Sequence, residues 1–158
     1  MDQPTDWVNS LVIAQKKEGS LHQCLDTCDL NKVVKREHCK ITTADEVASK
    51  LSSKKVFSVL YEKDGFWQIT LNQETSFLCT FNSPFGLHCF LRCSFGISLA
   101  PEVFQKCNDQ LFGDIEGVHV VFVDVFIRGK DEIGHNGILK QVLDHACANN
   151  VRFNPIKF

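Results

Sequence analysis

The sequence predicts an α+β fold in which an antiparallel sheet carries helices on one face. Three observations lead there. Short runs rich in β-branched and aromatic residues recur between turn residues, among them VFSVLY (Val56 to Tyr61) and VHVVFVDVFIRG (Val118 to Gly129). Two longer stretches, Ser98 to Phe112 and Glu132 to Asn149, place their apolar residues at helical spacing instead. The composition, 44% hydrophobic and 23% charged, is that of a chain that folds, and excludes disordered and fibrous classes.

Each element has its own signal. SLVIAQKK (Ser10 to Lys17) and LHQCLD (Leu21 to Asp26) flank Glu18-Gly19-Ser20, which predicts a hairpin with a basic, exposed tip. TADEVASKL (Thr43 to Leu51) opens with Thr43 and Glu46 at capping-box spacing and gathers Ala44, Val47, Ala48 and Leu51 on one face, a short amphipathic helix. After VFSVLY, Lys63-Asp64-Gly65 reads as a turn, and WQITL and FLCTF as two further strands. In SLAPEVFQKCNDQLF, Ser98 is the expected N-cap, Pro101 lies in the first turn, and Gly113 ends the helix. Between Glu132 and Asn149 the stripe is Ile138, Leu139, Val142, Leu143 and Ala146. Gly134 and Gly137 each cost about 1 kcal/mol relative to alanine, so this helix is expected to start late or fray. VRFNPIKF begins as an extended segment that needs a strand partner, with Pro155 closing it.

At 158 residues the chain suits one globular unit or a piece of one. No window reaches the roughly 18 apolar residues of a membrane span, and MDQPTDW lacks the pattern of a secretory signal. An intracellular protein of cytoplasm or nucleus is expected. The net charge of -2 lacks the basic excess of a chain that neutralises many phosphates, so nucleic-acid binding would rely on local patches. The eight cysteines form no CxxC pair and no even framework, which predicts free thiols. Cys24 with Cys28, and Cys89 with Cys93 beside His88, have a spacing open to zinc. Cys24, Cys79 and Cys89 lie in apolar runs, however, where free cysteine behaves as a small hydrophobe.

Asp124 is a lone carboxylate where two apolar runs meet, a suitable place to hold a cation. Val125 beside it offers no second ligand.

Several long strings then appear in order: PTDWVNSLVIAQKKEGSLHQCLDTCDLNK, REH, KDGFWQI, TFNSPFG, FGISLAPEVFQ and GDIEGV. Across nearly the whole chain they resemble the reverse transcriptase domain of gypsy-type LTR retrotransposons. The resemblance implies a right-hand polymerase fold, with fingers over about 7–55 and 72–95 and a partial palm over 56–71 and 96–158. The thumb, connection and ribonuclease H of the family are expected to be absent. It also implies RNA-directed DNA synthesis, with primer-template and dNTP as partners alongside other parts of a pol polyprotein, and magnesium as cofactor.

Such transfer uses two magnesium ions roughly 4 Å apart, and hard magnesium wants carboxylate oxygens. By the resemblance the three aspartates map to Tyr61, Asp124 and Val125, so only Asp124 remains as a metal ligand. A phenol is neutral at pH 7, and valine has no donor. Glu62 should point away from Asp124, because successive strand side chains face opposite sides. Asp64 is nearer the right phase, but reads as a turn residue at the edge of the substrate site.

The remaining substrate-side positions are likewise implied by the resemblance. Lys16 and Lys17 would meet the triphosphate, whereas His22 stands where arginine is usual, and imidazole is a weak substitute for a bidentate clamp. Phe66 matches the aromatic that excludes a ribose 2′-hydroxyl, with a packed core aromatic as the plain alternative. Phe95 and Gly96 match the pocket floor, although Cys93-Ser94 replaces Leu-Pro. Gln105 matches a helix residue near the template, and solvent exposure explains it equally well. Cys28, Cys107, Cys147 and His145 stand where the family commonly has arginine, and Cys39 where it has tyrosine. Each is a change that one base transition can make, which suggests mutational decay and lost phosphate-facing charge. Two functions follow: a reverse transcriptase domain active within a larger assembly, against which the missing aspartates count, or a non-catalytic retrotransposon-derived remnant, decayed or kept as a module that binds nucleic acid or protein.

Overall fold

The computed structural model describes residues 5–15, 19, 21–35 and 55–156. The helix expected over Thr43 to Leu51, together with Lys16, Lys17, Arg36 to His38 and Cys39, lies outside them. The described strands are β1 (Ser10–Gln15), β2 (Leu21–Asp26), β3 (Val56–Tyr61), β4 (Thr80–Ser83), β5 (Gly86–Cys89), β6 (Val118–Val121) and β7 (Asp124–Gly129). The helices are α1 (Leu30–Val33), α2 (Gln73–Leu78), α3 (Ala100–Phe112) and α4 (Glu132–Ala148), with a 3-10 turn at Gly65–Gln68. The chain divides into two compact units, residues 1–37 with 66–100 and residues 38–65 with 101–158.

In the first unit β1 and β2 form the expected hairpin, from Ser10↔Asp26 to Gln15↔Leu21. β4 and β5 form a second hairpin, and Asn9 donates from its backbone N–H and its Nδ2 to the Thr80 carbonyl, at 2.8 and 2.9 Å. The two strands expected at WQITL and FLCTF are corrected. Gly65–Gln68 is a 3-10 turn, Gln73–Leu78 is helical, and only Thr80 and Phe81 of FLCTF join a strand. Asn72 explains the helix: its side chain accepts from the Thr75 N–H at 2.9 Å, and Glu74 follows in the first turn, where a negative charge is favoured.

In the second unit the sheet order is β3-β7-β6, antiparallel throughout. Its strands alternate: along β7, Val125, Ile127 and Gly129 are buried and the residues between them half-buried. The buried face, with Leu60, Val118 and Val120, packs on Phe112 of α3 and on Val142 and Ala146 of α4. Both long helices therefore lie on one face of the sheet, as the sequence predicts.

Three details of this unit differ from expectation. α3 begins at Ala100, and Ser98 does not cap it; the Ser98 N–H donates to Asn31 Oδ1 at 2.9 Å within the first unit. α4 starts promptly at Glu132 despite its glycines, because Asp131 Oδ1 accepts from the Gly134 N–H at 2.7 Å. Leu143 leaves the apolar stripe and is 41% exposed. The final extended segment finds its partner beyond the end of β3: Lys63 N–H donates to Arg152 O at 2.8 Å, and Asn154 N–H to Tyr61 O at 2.7 Å.

Candidate active site at the Asp124 hairpin

β6 and β7 meet in a two-residue turn, Phe122-Val123, since Val121 pairs with Asp124. On its other side Asp124 pairs with Tyr61 of β3. Directly opposed residues of an antiparallel pair project from the same face about 5 Å apart, so the fold brings two of the three aligned positions together. The third goes elsewhere. Val125 has no exposed surface and packs in the apolar core with Leu60 and Ile127, on the side of the sheet away from Asp124.

The turn is held from α3. Phe122 adopts φ +52°, a left-handed conformation that costs a non-glycine residue roughly 1–2 kcal/mol. Both of its backbone groups are engaged: its N–H donates to Gln105 Oε1 at 2.8 Å, and its carbonyl accepts from Asn108 Nδ2 at 3.0 Å. Gln105 Nε2 also donates to the Val120 carbonyl at 3.1 Å and to Asp109 Oδ1 at 2.9 Å. Gln105 has no exposed surface, so the expectation that solvent exposure accounts for it is corrected. Periodicity places this residue on α3, but the Val120 carbonyl and the Phe122 N–H, 15 and 17 residues away, leave no local mark in sequence.

Glu62, which the sequence reading turns away from Asp124 and sets aside as a ligand, has a distinct environment. It is 1% exposed and turned away from Asp124, as strand alternation requires, and its Oε1 accepts from Asn108 Nδ2 at 2.6 Å. Burial pushes its carboxyl up to about 8, only partly opposed by the Asn108 hydrogen bond. At neutral pH this is mostly the uncharged acid. The Glu62 N–H donates to the Val123 carbonyl at 2.8 Å, so the strand end and the turn are joined through backbone as well. Gly65 permits this closeness, since a Cβ there would lie 2.7 Å from Val123 Cγ1 and 3.2 Å from Phe104 Cζ. Asp64 is exposed in the turn before it, at φ +54°.

The other predicted positions with described coordinates lie in the first unit. Phe66 and Phe95 are half-buried, with ring centroids 5.2 Å apart and tilted, and His22 lies 4.3 Å from the Phe95 ring. The Leu25 N–H donates to the Phe95 carbonyl at 3.0 Å, which fixes this aromatic group against β2. Gly96 has φ +109°, and a Cβ there would meet the Leu25 carbonyl oxygen at 2.1 Å. Its own carbonyl accepts from Thr27 Oγ1 at 2.5 Å and Asn31 Nδ2 at 2.9 Å. Among the described residues no three His, Cys, Asp or Glu side chains gather as a metal-holding group. Cys79 and Cys93 are buried, and burial pushes both thiols up to about 11. Among the described residues no helix is long and apolar enough to cross a membrane.

Known proteins resemble this chain in sequence and in fold. An uncharacterized Caenorhabditis elegans protein is 30% identical over 141 residues, 87% of this chain and 11% of that protein. The enzymatic polyprotein of cauliflower mosaic virus (strain Strasbourg) is 29% identical over 123 residues, covering 77% of this chain and 18% of the polyprotein. The transposon Tf2-7 polyprotein of Schizosaccharomyces pombe is 28% identical over 149 residues, 93% of this chain and 11% of its own length. The chain therefore spans between a tenth and a fifth of these relatives. In three dimensions it is similar to foamy viral protease-reverse transcriptase in complex with double-stranded DNA, at TM-score 0.88 and 19% identity, over 98% of this chain and 27% of that one. That likeness shows the α+β polymerase fold. The family described as "Reverse transcriptase (RNA-dependent DNA polymerase)" matches residues 14–158, and the chain belongs to that family.

Proposed function

We propose that this chain is the fingers and partial palm of a gypsy-type LTR retrotransposon reverse transcriptase whose active site no longer supports DNA synthesis. One observation carries the reading: the residue opposite Asp124 in the sheet register is Tyr61, where the family resemblance puts an aspartate. A carboxylate faced by a phenol, with Val125 in the apolar core, does not fit the two-magnesium chemistry of the family. No step is assigned through a metal. On this reading 7–55 and 72–95 are fingers-like and 56–71 and 96–158 palm-like; the two compact units match these bounds only in part, since 66–71 and 96–100 fall with the first unit.

A chain of this family that no longer synthesises DNA can still offer a surface for a primer-template. Solved relatives of this fold were captured with double-stranded DNA and with an RNA/DNA hybrid. Arginine-to-cysteine replacement at Cys28, Cys107 and Cys147 would weaken such binding; Cys28 and Cys147 are exposed.

Primer extension on poly(rA) with magnesium or manganese tests the reading, comparing the unmodified chain with Tyr61→Asp and with Tyr61→Asp/Val125→Asp. No extension is expected from the unmodified chain, and extension by it overturns the proposal. A salt-dependent shift of primer-template supports a retained nucleic-acid surface; its absence favours decay or a protein partner.

A further inference from the structure

The amide of Asn108 does two things at once. Its Nδ2 donates to Glu62 Oε1 at 2.6 Å and to the Phe122 carbonyl at 3.0 Å, and both Glu62 and Asn108 are buried. Glu62 directly follows Tyr61, and Phe122 stands two residues before Asp124. One side chain therefore ties the strand that carries position 61 to the turn that carries position 124. Glu62 lies on the opposite side of the strand from that pair, so it acts on them only through backbone.

We infer that Glu62 and Asn108 form a buried positioning pair that sets the spacing of positions 61 and 124. The inference rests on the reading of Tyr61 as a lost aspartate position, but reaches residues that reading does not use. Gln105 holds the Phe122 N–H and Asn108 its carbonyl, so a left-handed phenylalanine is over-determined by two helix amides. A scaffold of this kind should accept a carboxylate at 61 and present it to a divalent cation jointly with Asp124, because a site tuned to within about 0.5 Å depends on its supporting shell.

The test uses Mn2+ as the probe and two readouts. In the whole chain carrying Tyr61→Asp, Mn2+ affinity by electron paramagnetic resonance is expected to rise at least tenfold over the unmodified chain. Adding Asn108→Leu should remove most of that gain, whereas adding Glu62→Gln, which keeps the acceptor oxygen, should preserve it. Where Asn108→Leu fails to fold, Glu62→Leu/Asn108→Leu replaces both partners by apolar groups and serves in its place. The second readout is amide hydrogen exchange without Tyr61→Asp. Loss of the pair should speed exchange at Phe122 and Asp124 more than tenfold and leave β4 and β5 unchanged. Unaltered exchange at the turn, or full Mn2+ affinity without Asn108, overturns the inference. Failure of Tyr61→Asp alone to gain Mn2+, with the exchange result as expected, refutes the lost-aspartate reading and leaves the positioning pair standing.

Discussion

Replacing Glu62 by glutamine probes the buried acid directly. Glutamine keeps the oxygen that accepts from Asn108 Nδ2 and nearly the same volume, but cannot ionise. The folded carboxyl titrates at about 8 against an ordinary 4.5, because burial disfavours its charge. An acid whose folded pKa is raised gives stability that is fully present below the unfolded value and is lost as pH rises through the folded one. At about 1.36 kcal/mol per pKa unit, the cost of keeping the buried group protonated grows to roughly 3 kcal/mol by pH 7 and levels off near 5 kcal/mol above pH 8. Glu62→Gln should therefore match the unmodified chain near pH 4, exceed it by roughly 3 kcal/mol at pH 7, and by roughly 5 kcal/mol at pH 9. Urea unfolding followed by far-ultraviolet circular dichroism at the three pH values measures this, and the shared titrations of other groups cancel in the difference. A difference that stays constant with pH would refute a buried, neutral Glu62.

Other sites make independent demands. Gly96→Ala forces a side chain into positive φ and against the Leu25 carbonyl, and should destabilise the chain by more than about 2 kcal/mol in urea unfolding. Asp131→Ala removes the side-chain cap at Gly134 and should cost α4 about 1 kcal/mol, seen as faster amide exchange confined to its first turn. In thiol alkylation of the native chain, exposed Cys28 and Cys147 should react first, while Cys79 and Cys93, buried with thiols near pKa 11, should react only on unfolding. Equal rates at all four would contradict the packing described for the first unit.

The sequence alone determined the family, the strands with β-branched runs, and the two long helices, because hydrophobic period and extended motif order are local properties of the chain. It also determined that Asp124 sits at a hairpin, since the turn lies between two uninterrupted apolar strands. Its errors were local too. The stretch from Trp67 to Phe81 has strand-like composition, yet an asparagine cap at 72 makes Gln73–Leu78 helical, and Asp131 rescues the glycine-bearing start of α4.

What only tertiary structure decided is where side chains from distant segments meet. Position 61 lies opposite 124 because β3 pairs with β7 in that register, and a shift of one residue would send every side chain to the other face. The same register puts Val125 in the core. Gln105, read as a helix residue near the template or simply exposed to solvent, is fully buried, and it bonds the Val120 carbonyl of β6 and the Phe122 N–H of the turn. Glu62 becomes a neutral acid only because the folded chain buries it away from water, against the opposing hydrogen bond from Asn108, 46 residues away. Hydrogen bonds between groups so far apart in sequence carry no periodic or compositional trace, so the support of this site could be read only from the folded chain.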